Sequence, residues 1–452
     1  MTSTFAPLTS AFAQAIISSD PSKDPVALDA ARKAIIDFLA CAIAGAGDRT
    51  TGILADTVGA NLPGEAILLG SSRRTDPLVA ALVNGHAGHV LDYDDVHASV
   101  RGHPTTVIIP ALLAFAAERE FSADALIASY IVGLEAMARL GLSLGSNHYE
   151  NGFHATATLG TIGAAAAIAH LTRASIDETA VALGLAATQS SGLRLQFGTD
   201  AKPFHAGMAA RSGLLSARMA AAGFGGAPDF LDNPVGFHSV YAFGAERPSA
   251  VTENWGSPWQ IVAPGLTLKA YPCCTASHPV ASLGIGLNRE GLEADAIEHI
   301  TFTYPPGADA ALVVNKPGNG IEARFSPEYV FAAALIDGAL RLDHFDERPV
   351  LPRLMDLARR AGRRHDETAP RMSSDPRTRF VIVDIVLRDG SAIQRRFDGL
   401  PGLSDPAEKF RDATARNPAF ADVPSLVRTM SSTADLRQLL ALLNQDAARN
   451  PE

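Results

Sequence analysis

VALDAARKAIIDFLACAIAG, residues Val26 to Gly45, sets the grammar of most of this chain. Its Ala, Ile, Leu and Phe residues recur at the spacing of a helix face, Asp24-Pro25 opens the segment, and Gly45 and Gly47 stop it. The same pattern predicts helices over Pro77–Val90, Pro104–Glu120, Ala123–Leu144, Ala157–Leu171, Ile176–Ala187 and Gly207–Ala222. Ser122 and Ser175 stand where N-caps belong, and Glu178 completes a capping-box pattern with Ser175. Many of these segments are Ala-rich and flanked by Gly, so their axes can approach closely. A large all-helical bundle domain is expected.

Beyond about Leu266 the period changes from helical to alternating. HITFTYP (His299–Pro305) and FVIVDIVLRDGSAIQRRF (Phe380–Phe397) alternate apolar and polar residues, and Asp389-Gly390 is placed as a hairpin turn. Helices are expected between them at Pro327–Leu340 and Val350–Gly362. The expected fold is therefore mainly α, with a smaller α+β domain carrying an antiparallel sheet. A helical tail from Ser425 to Ala447 docks back on the bundle in this scheme. The divisions are residues 1–265 with 405–452 for the helical domain and 266–404 for the smaller one.

The chain has 452 residues, 47% of them hydrophobic and 19% charged, enough to bury a large core and too long for one typical domain. A net charge of -10 argues against a nucleic-acid groove or a basic membrane face and favours a small-molecule substrate. Cys41, Cys273 and Cys274 offer no disulfide framework, and the N-terminus has no basic region ahead of its apolar residues, so a cytoplasmic protein is expected. The most apolar run, Ala155–Leu171, reads as a buried helix, since a bilayer span needs roughly 20 consistently apolar residues. Neither a nucleotide-binding glycine loop nor a fixed-period repeat is evident.

Chemistry concentrates in NGHAGHVLDYDDVHASVRGHPTTVIIP, Asn84 to Pro110, where His86, His89, His97 and His103 surround Asp92, Asp94 and Asp95. Imidazoles titrate near neutral pH and are shifted by adjacent carboxylates, so such a cluster can hold a base, an acid or a cation. Four further segments put polar residues in apolar surroundings: HYENGFHATATLG (148–160), DAKPFHAGMAARSG (200–213), LKAYPCCTASHPV (268–280) and EARFSPEYVFAAALIDG (322–338). Lysine is scarce against a large excess of Arg, yet Lys202 and Lys269 fall in two of these segments. A compact ammonium of tunable pKa suits a site.

Each residue also has a plainer explanation. His86 and His89 can simply satisfy backbone groups, Asp94 and Asp95 can cap a turn, and Cys273 and Cys274 can be small buried hydrophobes. Tyr329 can be core, and Arg211 can pair with a carboxylate inside the bundle. A metallohydrolase is a competing class, because His and Asp at this density are ligands for Zn, Mn or Fe; HAGHVLDYDD, however, lacks the HExxH spacing. A non-enzymatic helical scaffold is the third.

Taken together, NGHAGHVLDYDDVH with GHPTTVIIPALLA, GFHATATLGTIGAAAA, AKPFHAGMAARSGLLSA with AAGFGGAP, LKAYPCCTASH, and EARFSPEYVFAAALIDG resemble the MmgE/PrpD family, in that family's order and over nearly the whole chain. The family includes 2-methylcitrate dehydratases, cis-aconitate decarboxylases and iminodisuccinate epimerases. The resemblance implies a helical plus α+β fold, usually a homodimer, acting without metal or organic cofactor on a small polycarboxylate. It implies a pocket between the domains formed by Asp92, His103, His154, Lys202, Lys269 and Tyr329. Two positions depart from relatives: Val96 stands where Thr is common, and Cys274 where decarboxylase-like relatives carry His. Both argue against decarboxylation.

The shared step would be removal of a proton alpha to a carboxylate, which needs charge stabilisation for the enolate-like intermediate. His103 or His154 is the expected base, and His154, Tyr329 or Tyr149 the expected acid. Lys202 and Lys269 would hold carboxylates and offset developing charge. Asp92, His97 and Cys274 are expected to line the bound substrate, with His205 and His278 behind them. A dehydratase-type lyase is the first expectation and an epimerase the alternative.

Overall fold

The computed structural model describes residues 7–59, 61–227, 229–372, 378–415 and 417–446. Helices dominate, led by Pro25–Gly45, Pro77–His89, Thr105–Ala116, Ala123–Leu144, Ala155–Thr172, Ile176–Ala187 and Ala201–Ala221. Asp24 caps the first through the amides of Val26 and Ala27, Asp76 caps the second, and Ser122 and Ser175 cap the helices that begin at Ala123 and Ile176. The predicted helix that began at Gly207 starts earlier, at Ala201, and so includes Lys202 in its first turn.

Small residues set how closely the helices meet. A Cβ at Gly85 would lie 2.9 Å from the Cα of Gly207, so the Pro77–His89 and Ala201–Ala221 helices touch almost backbone to backbone. That contact brings the C-terminus of one helix, at His89, near the N-terminus of the other, at Lys202. The Ala155–Thr172 helix packs between the Ala123–Leu144 and Ala201–Ala221 helices. Among the described residues two helices, Ala123–Leu144 and Ala155–Thr172, are long and apolar enough to cross a membrane, and both are largely buried in this packing. Their apolar character is accounted for by the core they fill.

The four-stranded sheet runs in the order Ala361–His365, Ile297–Tyr304, Phe380–Leu387, Ala392–Asp398. The last three pair antiparallel, and the hairpin turns at Asp389-Gly390 with Gly390 at a φ of 85°. Helices His278–Arg289 and Pro327–Asp337 pack with each other, and the first of them also lies on the strands. The helix expected over Val350–Gly362 is shorter, Pro352–Ala358, and Ala361–His365 is instead an edge strand parallel to Ile297–Tyr304. Arg359-Arg360 and Arg363-Arg364 leave no apolar stripe to extend a helix, and Gly362 weakens one. As a strand, the segment points Arg363 at Glu328, 2.5 Å away, and Arg364 at Asp384 on the other side.

Two hydrophobic clusters result. One joins Phe12, Phe38, Leu112 and Tyr130 to Phe410, Val427 and Leu439 of the chain's later helices Ala407–Ala413, Val423–Thr429 and Thr433–Leu443, and to Phe420 in the turn Pro418–Phe420 between them. The other joins Val280, Ile300, Phe302, Phe331, Phe345 and Ile385. The expected end of the tail helix, Ala447, lies outside the described residues.

Candidate active site

The Pro77–His89 helix ends in a turn that aims Asp92 into a cleft. Asp92 sits at a φ of 51°, in the left-handed region that Asp and Asn tolerate better than most residues, and its amide bonds the His89 carbonyl at 3.0 Å. Its carboxylate lies 2.5 Å from Lys202 Nζ and 3.0 Å from Lys269 Nζ, and Lys269 also donates to the Asp92 carbonyl at 2.7 Å. All three side chains are buried. Burial pushes the Asp92 carboxyl up, but the two ammoniums outweigh it and hold the acid well below its usual range. Lys269 remains charged, since burial works against its ammonium while Asp92 more than compensates.

A short ladder fixes this loop. Val96–His97 pairs antiparallel with Leu266–Thr267, two residues before Lys269. His97 serves that ladder: its Nε2 meets the Gln260 carbonyl at 2.9 Å, its amide donates to Gly102, and its side chain does not line the cleft. The expectation that His97 contacts substrate is therefore corrected; it is a fully buried brace of the loop.

Asp94 stands between two imidazoles. His89 Nδ1 lies 2.9 Å from it, and His103 Nδ1 lies 3.3 Å away, off the line of a good hydrogen bond. Burial alone would raise the Asp94 carboxyl; the two rings hold it well below the usual range. Burial keeps both rings neutral, His89 down to about 3 and His103 below an ordinary histidine. Ligand atoms of His89, Asp94 and His103 lie within 4.8 Å of one another, so a metal reading of this cluster would have to seat its ion there. Asp95, the next residue, faces the helical core instead, where the Thr105 hydroxyl donates to it.

His154 caps the start of the Ala155–Thr172 helix, with its Nδ1 3.1 Å from His205 Nδ1 and its ring against Phe197. Burial, reinforced by Lys202, holds it neutral and well below the normal range. His103, His154, Lys202, Lys269, Asp92, Tyr149 and Cys274 all line one cleft of about 720 Å³, part of it open to solvent. Val96 lines it as well. Burial pushes the Cys274 thiol up, which makes it a poor nucleophile.

Tyr329 is not among the lining residues. Its hydroxyl donates to the His344 carbonyl at 3.2 Å and its ring packs edge-on to Phe345, inside the second hydrophobic cluster. The Pro327–Asp337 helix is buried on all sides over most of its length, so the position reads as core and the proposed acid role for Tyr329 is withdrawn. Sequence reasoning missed Arg101 and Arg379, which also line the cleft. In a chain rich in Arg neither carried a signal, although Arg101 lies between His97 and His103.

The scaffold and the cleft define a class, and comparison with known proteins places the chain in it: residues 9–249 match the MmgE/PrpD N-terminal domain and residues 271–416 the MmgE/PrpD C-terminal domain. The chain belongs to the MmgE/PrpD family and is an enzyme of that type. A cis-aconitate decarboxylase of Mus musculus is 29% identical over 394 residues, covering 82% of this chain and 78% of that protein. The cis-aconitate decarboxylase of Homo sapiens is 28% identical with 82% and 79% covered, and that of Aspergillus terreus (strain NIH 2624 / FGSC A1156) is 26% identical with 92% and 91% covered.

Proposed function

We propose that this enzyme removes a proton alpha to a carboxylate of a small di- or tricarboxylate and expels a beta hydroxyl, as a 2-methylcitrate dehydratase-like lyase. The carrying observation is that two neutral imidazoles, His103 and His154, share a cleft with the Lys202–Asp92–Lys269 cluster. A neutral ring can accept a proton, and Asp94 beside His103 stabilises the imidazolium that forms. The second ring, or Tyr149, can protonate the leaving hydroxyl. Lys202 and Lys269, one shared carboxylate between them, leave net positive charge for the substrate's carboxylates and the enolate-like intermediate.

Decarboxylation of a cis-aconitate-like substrate is the second reading, favoured by the activity of the relatives. It needs an acid to protonate the carbanion left by loss of carbon dioxide and no initial base. An iminodisuccinate-type epimerase would use the two rings on opposite faces of one carbon. The test is incubation with citrate, 2-methylcitrate, cis-aconitate and iminodisuccinate in deuterated water, followed by NMR. Loss of water from a hydroxy-polycarboxylate supports the proposal; loss of a carboxylate supports the second reading; deuterium uptake with no loss of either would replace both by epimerisation.

A further inference from the structure

We propose that Arg101 and Arg379 form an anion subsite in the same cleft, which grips a carboxylate of the substrate away from the one at the lysines. The proposal rests on the reading of the substrate as a polycarboxylate. Arg101 and Arg379 line the cleft together with Tyr149 and Cys274. Arg101 lies 5.2 Å over the Tyr149 ring and is held at a φ of 55°, an uncommon backbone conformation for an arginine. Its Nη1 reaches the Ser146 carbonyl at 3.4 Å but is 3.9 Å from Glu150, beyond hydrogen-bond reach, and Glu150 is shared with Arg371 at 3.7 Å. Arg194, on the other face of this group, is already committed to the carbonyls of Tyr149 and Ala310 and to the Tyr149 ring at 4.0 Å.

Burial works against the Arg379 charge, and the described groups that bear on it most are Arg101, Tyr149 and Cys274. Burial works against the Arg101 charge, and its charged neighbours there include two arginines, Arg194 and Arg371, against one acid, Glu150. Holding half-buried guanidiniums beside one another is unfavourable without an anion. Cys274 lines the same cleft as Lys269 and Lys202, so the lysine group and the arginine group face one space. The cleft therefore carries excess positive charge at both groups in a chain whose net charge is -10. Such a local inversion draws in a polyanion and aligns it, and the planar fork of Arg favours a carboxylate.

The test is equilibrium binding of tricarballylate, a tricarboxylate with no hydroxyl to lose, to the full chain by calorimetry. R101Q and R379Q are expected to weaken binding about tenfold or more each, the loss of a charge-assisted pair. R371Q removes a charge from the same region at a residue that does not itself line the cleft, and less than about a twofold change is expected there. R101K and R379K, which keep the charge and lose the fork, should fall between, and they stand in if a glutamine variant fails to fold. Undiminished binding in the R101 and R379 variants, an equal loss in R371Q, or no binding to the unsubstituted protein would each overturn the subsite. Turnover is scored separately. Arginine-dependent binding without any turnover of polycarboxylates would retain the subsite and sink the catalytic reading, whereas turnover indifferent to both arginines would do the reverse.

Discussion

The loop that follows the Pro77–His89 helix has two faces, and consecutive aspartates on them meet opposite fates. Asp94 meets the rings of His89 and His103 and is held ionised. Asp95 turns into the helical core, where Thr105 donates to it and Thr105 in turn lies 2.5 Å from the Tyr130 hydroxyl. Burial there, with Asp37 adding to it, pushes the Asp95 carboxyl far up, so it is held protonated. Behind it, Lys409 bonds Asp37 at 2.7 Å and the Tyr93 carbonyl, which ties the Ala407–Ala413 helix to the loop. Partners, not residue type, decide which acid is available for chemistry and which one holds the loop in place.

Changes on the cleft face should act on turnover and changes on the core face on stability. The largest effect is expected for H103N, which should lower kcat by about a thousandfold while leaving the thermal transition in place. K269A should act on kcat/KM to a similar extent, and D94N by about a hundredfold, read from steady-state rates. On the core face, K409M strands Asp37 in a buried setting and should cost about 3 kcal/mol in denaturant titration, with turnover per folded molecule little changed.

The pH dependence of stability comes next in size. Burial holds His86 and His97 at about 4 and His89 and His278 at about 3. An unfolded histidine takes up its proton near 6.5 and the folded ones do not until well below that. The unfolded state therefore binds more protons in this window, so stability is full above about 6.5 and falls as pH drops toward 4. The loss at pH 5.5 should be on the order of 1 kcal/mol per histidine, seen as a falling Tm. Smallest of all should be D95N, because a protonated acid and an amide are nearly equivalent; a hundredfold loss of turnover in D95N would erase the distinction between the two faces. A chelator should leave turnover unchanged, and abolition of activity would instead put a metal on His89, Asp94 and His103.

Periodicity carried much of the fold. The Val26–Gly45 pattern and its repeats are helices, and the Asp389-Gly390 turn joins the two strands that alternation predicted. Lys202 and Lys269 were legible because lysine is rare in this chain and both fall beside Pro and His or Cys. What failed was decided by packing and by contacts distant in sequence. Tyr329 lies on a helix whose faces are almost all buried, so its spacing cannot distinguish core from cleft. His97 is claimed by a ladder with Leu266–Thr267, a contact distant in sequence. Composition disfavours a helix over Ala361–His365, but it is the free edge of Ile297–Tyr304 that makes the segment a strand. Arg101 and Arg379, far apart in sequence, come to one cleft only through the fold.

Hydrogen–deuterium exchange at the carbon alpha to the substrate's carboxylate, followed by NMR for the unsubstituted enzyme and for folded H103N, tests proton abstraction by a neutral imidazole most directly. Exchange or elimination that depends on His103, with an acid limb below pH 6.5 because burial holds the ring neutral, is the expected result. Undiminished exchange in H103N and in the corresponding His154→Asn variant would contradict it.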